Sequence, residues 1–174
     1  MPYRAFPFRK KASSSSSAPK LFGAPMEQAP ETYLIAHVDG GARGNPGPAG
    51  FGVVIEDNHG QRVKEISRFV GLNTNNYAEY MGLLAALEFA AQHPARAIKV
   101  ISDSELMVRQ IGGVYKVRSE NLRELYERAK LLIRKLQWFS MQHTLREGNR
   151  DADRLANEAM DEGMRGVGLR KGLM

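Results

Sequence analysis

Apolar positions in this chain follow two different spacings, and the change between them falls near residue 74. Tyr33-Leu34-Ile35-Ala36-His37-Val38 is almost continuously apolar, as expected of a mostly buried strand. The stretch DGGARGNPGPAG (39–50) is dense in glycine and proline and reads as a loop. Phe51-Gly52-Val53-Val54-Ile55 is a second strand, and Asn58-His59-Gly60 is a hairpin signal. Arg62 to Val70 reads as a third strand, with Val63, Ile66 and Phe69 as its apolar members. Together these predict an antiparallel meander.

Beyond it the period becomes helical. Tyr77, Tyr80, Met81, Leu84, Leu87 and Ala91 form one stripe over 76–92, stopped by His93-Pro94. Ala97 to Ser102 is a short apolar strand, reached through that helix by a βαβ-like crossover. Ser104 to Ile111 is a short helix closed by Gly112-Gly113. Ser119, a candidate N-cap, opens a long helix to Leu136, with Leu122, Leu125, Ala129, Leu132, Ile133 and Leu136 facing inward. Trp138 to Leu145 is a fifth strand. Arg150 to Glu162 is a last helix with Ala152, Leu155, Ala156 and Ala159 as its stripe, ended by Gly163. The order β-β-β-α-β-α-α-β-α predicts an α/β fold: a five-stranded mixed sheet, three strands antiparallel and two parallel through crossovers, flanked by helices.

Composition narrows the classes. The chain has 174 residues, 43% of them hydrophobic, enough for one domain with its own core. It has no cysteine, which excludes a disulfide scaffold, a zinc–thiolate finger, an iron–sulfur site and thiol catalysis. No apolar run reaches the ~18 residues of a membrane span, and no secretory signal is evident. A soluble, cytoplasmic protein is expected.

The net charge of +6 is concentrated at the two ends. Residues 1–30 carry five basic side chains against Glu27, a net +4, and residues 163–174 carry three and no acid. The stretch 31–162 is nearly balanced at −1. A polyanionic partner fits this pattern, bound to the folded part through a local patch; basic ends that serve only solubility are the alternative. With its run Ser13 to Ser17 and its prolines, the segment 1–30 reads as a disordered basic tail. A Ser-rich, acid-poor start also suits a transit peptide, although no amphipathic helix accompanies it. Residues 31–163 are expected to form the folded domain and 164–174 a flexible basic tail.

Four acids stand at element boundaries. Asp39 and Asp103 follow strands, while Glu79 and Asp153 fall in first helical turns. Singly, each has a bland explanation: Asp forms turns, and acids complement helix dipoles. Strand ends and helix starts are also where sites collect in open α/β sheets, so all four acids can converge. Two unit charges 4 Å apart repel by about 4 kcal/mol at an effective dielectric of 20, so such a cluster requires cations. Oxygen donors without His or Cys favour Mg²⁺ or Mn²⁺ over zinc.

The motifs DGGARGNPGPAG (39–50), TNNYAEYMGLLAAL (74–87), ISDSELMVRQI (101–111) and EGNRDADRLAN (147–157), in this order, resemble the type 1 ribonuclease H (ribonuclease HI) family across about residues 32–162. The resemblance implies a ribonuclease H-like fold and endonucleolytic cleavage of the RNA strand of an RNA/DNA hybrid by two Mg²⁺, with Mn²⁺ as substitute, leaving 5′-phosphate and 3′-hydroxyl ends. It places the metal-binding, catalytic acids on Asp39, Glu79, Asp103 and Asp153, with Asp39 the candidate to bridge both ions. Asp151 rivals the last, but the Ala-Asp-x-Leu-Ala pattern selects Asp153. Gly40, Gly41, Arg43, Asn45, Thr74, Asn75, Asn76 and Arg146 are the implied substrate contacts, the glycines through close backbone approach and Arg43 and Thr74 at phosphates. The implied partner is the hybrid duplex alone, bound by a monomer without a membrane or an obligate protein partner.

The chain departs from the family in two places. The basic protrusion of many members is reduced to residues 112–118, where Lys116 and Arg118 are the candidates to replace it. The loop that holds a mobile histidine in many members is compressed to 144–149. His143 reads as part of the strand, leaving Arg146 or Glu147 in that place. Glu105 adds a further negative charge nearby. Two other readings remain. A 3′–5′ exonuclease on this fold carries Asp-x-Glu on its first strand, where this chain has Asp39-Gly40-Gly41. A non-catalytic nucleic-acid-binding module would be expected to lack one of the four acids.

Overall fold

The computed structural model describes residues 28–171, so the tail expected over 1–30 lies almost wholly outside the described residues. The strands are β1 (Leu34–Ala42), β2 (Gly47–Asp57), β3 (Arg62–Asn73), β4 (Ala97–Ser102) and β5 (Trp138–His143). The helices are α1 (Asn75–Gln92), α2 (Glu105–Ile111), α3 (Glu120–Lys135) and α4 (Arg150–Lys171), with a 3₁₀ turn at Arg146–Asn149. They form one five-stranded sheet of order β3-β2-β1-β4-β5. β1, β2 and β3 pair antiparallel; β4 joins β1, and β5 joins β4, in parallel. This is the mixed sheet the sequence predicts, with Asp39 on its central strand.

Leu34, Ala36 and Val38 of β1 meet Phe51, Val53 and Ile55 of β2 in a core closed by Tyr80, Leu83, Leu84 and Leu87 of α1. Each large apolar side chain so buried contributes about 1.5–3 kcal/mol. Leu125, Ala129 and Ile133 of α3 cover the outer side of α1. Lying between the sheet and α3, α1 buries Ala78, Gly82, Leu83, Ala86 and Ala90 as well as Tyr80, Leu84 and Leu87. The single stripe expected from its periodicity is therefore too narrow. α4 covers the other face of the sheet through Ala152, Leu155, Ala156 and Ala159, the predicted stripe, together with Met160.

Three expectations are corrected. The segment 39–50 is mostly not a loop: β1 and β2 remain paired through Asp39↔Gly52, Gly40↔Phe51, Gly41↔Gly50 and Ala42↔Ala49. Gly50 serves packing, because a β-carbon there would lie 2.9 Å from Ala159 Cβ, and so does Gly52 just beyond the segment, whose β-carbon would lie 2.3 Å from the Ala152 carbonyl oxygen. The actual turn is short and contains Gly44 at φ +85° and a cis Asn45–Pro46 bond.

The last helix does not end at Gly163 but continues to Lys171, so residues 164–171, expected as flexible, are helical. A β-carbon on Gly163 would lie 2.1 Å from Phe69 Cδ2; this glycine makes room for a ring rather than capping a helix. Ser119 occupies an N-cap position, but its side chain makes no capping hydrogen bond. No described helix is long and apolar enough to cross a membrane.

Candidate active site

The last parallel rung between β1 and β4 is Val38↔Ser102. Asp39 and Asp103 are the next residues on each chain, so the sheet places them side by side where β4 stops. β1 carries on past that point, which puts Asp39 inside its strand and not at the end. α1 crosses over Gly40, whose β-carbon would lie 2.4 Å from the Glu79 amide nitrogen. That approach brings Glu79 to the same spot from the opposite face. Glu79 lies beyond the first turn, where α1 has no acid, so helix-dipole complementarity does not account for it.

Asp153 enters from the first turn of α4. All four acids line one open cleft of about 460 Å³, together with Gly40, Gly41, Arg43, Asn75, Arg146 and Asn157. Asp151 is elsewhere: its carboxylate accepts a hydrogen bond from Arg62 at 2.9 Å, on the solvent side of α4. Of the two, Asp153 lines the cleft and Asp151 does not.

Electrostatics in the cleft are unfavourable without cations. Burial, then the charges of Asp103 and Asp153, push the Asp39 carboxyl up from its ordinary 3.8 to about 8; a hydrogen bond with Asp153 and the charge of Glu79 add to the shift. Burial lifts Glu79 from 4.5 to about 7; a hydrogen bond from Ser104 acts against this and Asp103 reinforces it. Arg43 offsets little of the charge, since its guanidinium donates to Asp161 at 2.9 Å and to Asn157 Oδ1 at 3.1 Å. Among the described residues no three His, Asp or Glu groups stand as a ready-made metal cage. The donor set is nevertheless one of hard oxygens, held charged only against its own desolvation. In donor chemistry and in sign it fits divalent cations of the Mg²⁺ type.

The expected substrate contacts divide. Gly40, Gly41, Arg43, Asn75 and Arg146 line the cleft; Asn45, Thr74 and Asn76 do not. The space above Gly40 is filled by α1, so that glycine admits a helix and not a ligand. Thr74 caps α1, accepting from the Tyr77 amide at 3.2 Å. Asn75 Oδ1 accepts from the Ala42 amide at 2.6 Å, and Asn45 Oδ1 from the Asn75 amide at 3.2 Å. With both carbonyl oxygens occupied, each amide offers a ligand its NH₂ group.

Glu105, unexplained by sequence, pairs with Arg109 at 2.8 Å along the exposed side of α2. His143 belongs to β5, as read from sequence, but ends it, because the strand stops there and not at Leu145; its side chain is exposed outside the cleft lining. The sequence reading missed Ser104, Asn149, Asn157 and Met160. Ser104 had a detectable signal as the N-cap of α2, where its hydroxyl accepts from the Met107 amide.

Comparison with known proteins gives consistent matches. A reverse transcriptase-like family model matches residues 37–159. The chain is 41% identical over 129 residues to a bifunctional protein of Mycobacterium tuberculosis, covering 74% of this chain and 35% of that one. It is 41% identical over 127 residues to ribonuclease HI of Halobacterium salinarum, covering 73% of this chain and 64% of the relative. It is 33% identical over 143 residues to ribonuclease H of Syntrophotalea carbinolica, covering 74% of this chain and 91% of that one. The chain thus spans about a third of the mycobacterial relative and just under two thirds of the archaeal one. Among solved structures, LC11-RNase H1 in complex with an RNA/DNA hybrid superposes with a TM-score of 0.71 at 42% identity, covering 75% of this chain and 99% of that one.

Proposed function

The chain belongs to the ribonuclease H family, and from that premise we propose that it is an endoribonuclease that hydrolyses the RNA strand of RNA/DNA hybrids, leaving 5′-phosphate and 3′-hydroxyl ends. One observation carries the reading: acids from β1, α1, the end of β4 and α4 line a single cleft that also holds Asn75 and Arg146. Asp39, Glu79, Asp103 and Asp153 would hold two divalent cations, Mg²⁺ or in its place Mn²⁺. Bound there, the ions supply an activated water and neutralise charge at the scissile phosphate and leaving oxygen.

The chain's own residues do the rest. Asp39 is buried and Glu79 half-buried, so less water screens them and their charge interactions are stronger than at the surface. The NH₂ groups of Asn75 and Asn45 face acceptors on sugars and base edges, where a 2′-hydroxyl distinguishes RNA from DNA. Arg146, on the cleft rim, meets backbone phosphate. The protein acts as a monomer in the cytoplasm and needs no protein partner for this chemistry.

Hybrid labelled on either strand, incubated with the purified protein and Mg²⁺, tests the reading. Cuts internal to the RNA strand, sparing the DNA strand and single-stranded RNA, are expected, with none from Asp39→Ala. Undiminished cleavage by Asp39→Ala would reject the assigned site.

A further inference from the structure

Asn149 is 2% exposed and lies at the junction of the 3₁₀ turn and α4. Its Nδ2 donates to the Val38 carbonyl at 2.9 Å and to Asp103 Oδ1 at 3.4 Å. Both neighbours are acceptors, so the amide can sit only with its NH₂ toward them. Val38 immediately precedes Asp39, and Asp153 lies one helical turn beyond Asn149. A single buried amide therefore joins the three segments that carry Asp39, Asp103 and Asp153.

Stability alone explains this poorly. The Asn149 Oδ1 atom is buried without a hydrogen-bond partner among the described residues, a condition that works against folding. We propose that Asn149 is a positioning residue: it orients the Asp103 carboxylate and fixes the start of α4 against β1, so that the carboxylates can close on divalent cations. This rests on the reading that the four acids bind such ions.

The test is calorimetric titration of Mn²⁺ into substrate-free protein, comparing wild type with Asn149→Ala, Asn149→Ser and Asn149→Asp, each checked for native circular dichroism. Loss of an outer-sphere partner typically weakens a metal site by roughly 10–100-fold, and that loss is expected in every folded variant. The KM for hybrid at saturating Mn²⁺ should stay near the wild-type value while kcat falls. Ser67→Ala is the control. It removes a 2.8 Å bond from the Ser67 hydroxyl to the Leu155 carbonyl, which also ties α4 to the sheet but involves none of the four acids, and should leave Mn²⁺ affinity unchanged.

Wild-type protein that binds no Mn²⁺ would reject the cation reading itself. Binding by wild type that persists undiminished in folded Asn149 variants would overturn only this proposal. Equal weakening in Ser67→Ala, or failure of all three Asn149 variants to fold, would reduce Asn149 to a structural residue and overturn the proposal too.

Discussion

Gly40 and Glu79 are in backbone contact across the sheet–helix boundary: a β-carbon at Gly40 would lie 2.4 Å from the Glu79 amide nitrogen and 2.5 Å from the Ala78 carbonyl carbon. Backbone atoms within a helix cannot swing aside as a side chain can. Gly40→Ala must therefore push the start of α1, and Glu79 with it, away from Asp39. The expected result is a loss of about 1–3 kcal/mol in urea unfolding, the usual scale of overpacking, and a fall in cleavage rate larger than that stability loss explains. A fully active Gly40→Ala protein would show that Glu79 does not need this placement.

The Asp39 carboxyl sets a pH dependence. From the ordinary 3.8 up to about 8, the folded chain keeps a proton that the unfolded chain has lost. The cation-free protein should thus lose stability as pH rises through that window, by up to about 1.4 kcal/mol per pH unit for each such proton. Asp39→Asn removes that slope and should be the more stable protein at pH 8, while losing cleavage. Denaturant midpoints at pH 5 and pH 8 without divalent ions check this; parallel slopes for wild type and variant would contradict it. Mg²⁺, which takes the proton's place, should stabilise wild type more at pH 8 than at pH 5.

Asp151 and Asp153 give a contrast two residues apart. Asp151 is paired with Arg62 at an exposed position, whereas Asp153 lines the cleft. Asp151→Asn should cleave hybrid at nearly the wild-type rate, and Asp153→Asn should fall well beyond the roughly 10–100-fold typical of outer-sphere partners. Single-turnover rates on one hybrid suffice, and a reversal of the two would exchange their roles.

The five basic residues within 1–30 predict a salt effect. Removing that segment should leave the melting temperature of the domain unchanged but weaken hybrid binding at physiological salt, and lessen the steepness of binding against salt concentration. A KM identical for both proteins across a salt series would leave the segment without a role in binding.

Much of this was legible from the sequence, because period-2 and period-3.6 patterns register burial directly and the four acids fall near changes of pattern, although Asp39 lies inside its strand and Glu79 beyond the first turn of α1. The failures were of one kind. Gly40 and Gly50 read as loop residues, Gly163 as a stop signal and Gly52 as an ordinary strand position, since glycine's freedom is a local property. Their actual reason is a helix or a ring packed from elsewhere in the chain, and no local pattern reports that. Asn149 was missed similarly: an Asn near a helix start reads as a cap, yet its bonds run to Val38 and Asp103, distant in sequence. The turn glycines Gly44 and Gly60, whose φ values are +85° and +84°, were read correctly because there the constraint is local.

The helix that seats itself over Gly50 and Gly52 also brings Asp153, the last of the four acids to leave the ribosome. A chain cut short before α4 would keep Asp39, Glu79 and Asp103 but lose both Asp153 and the apolar stripe that covers that face of the sheet.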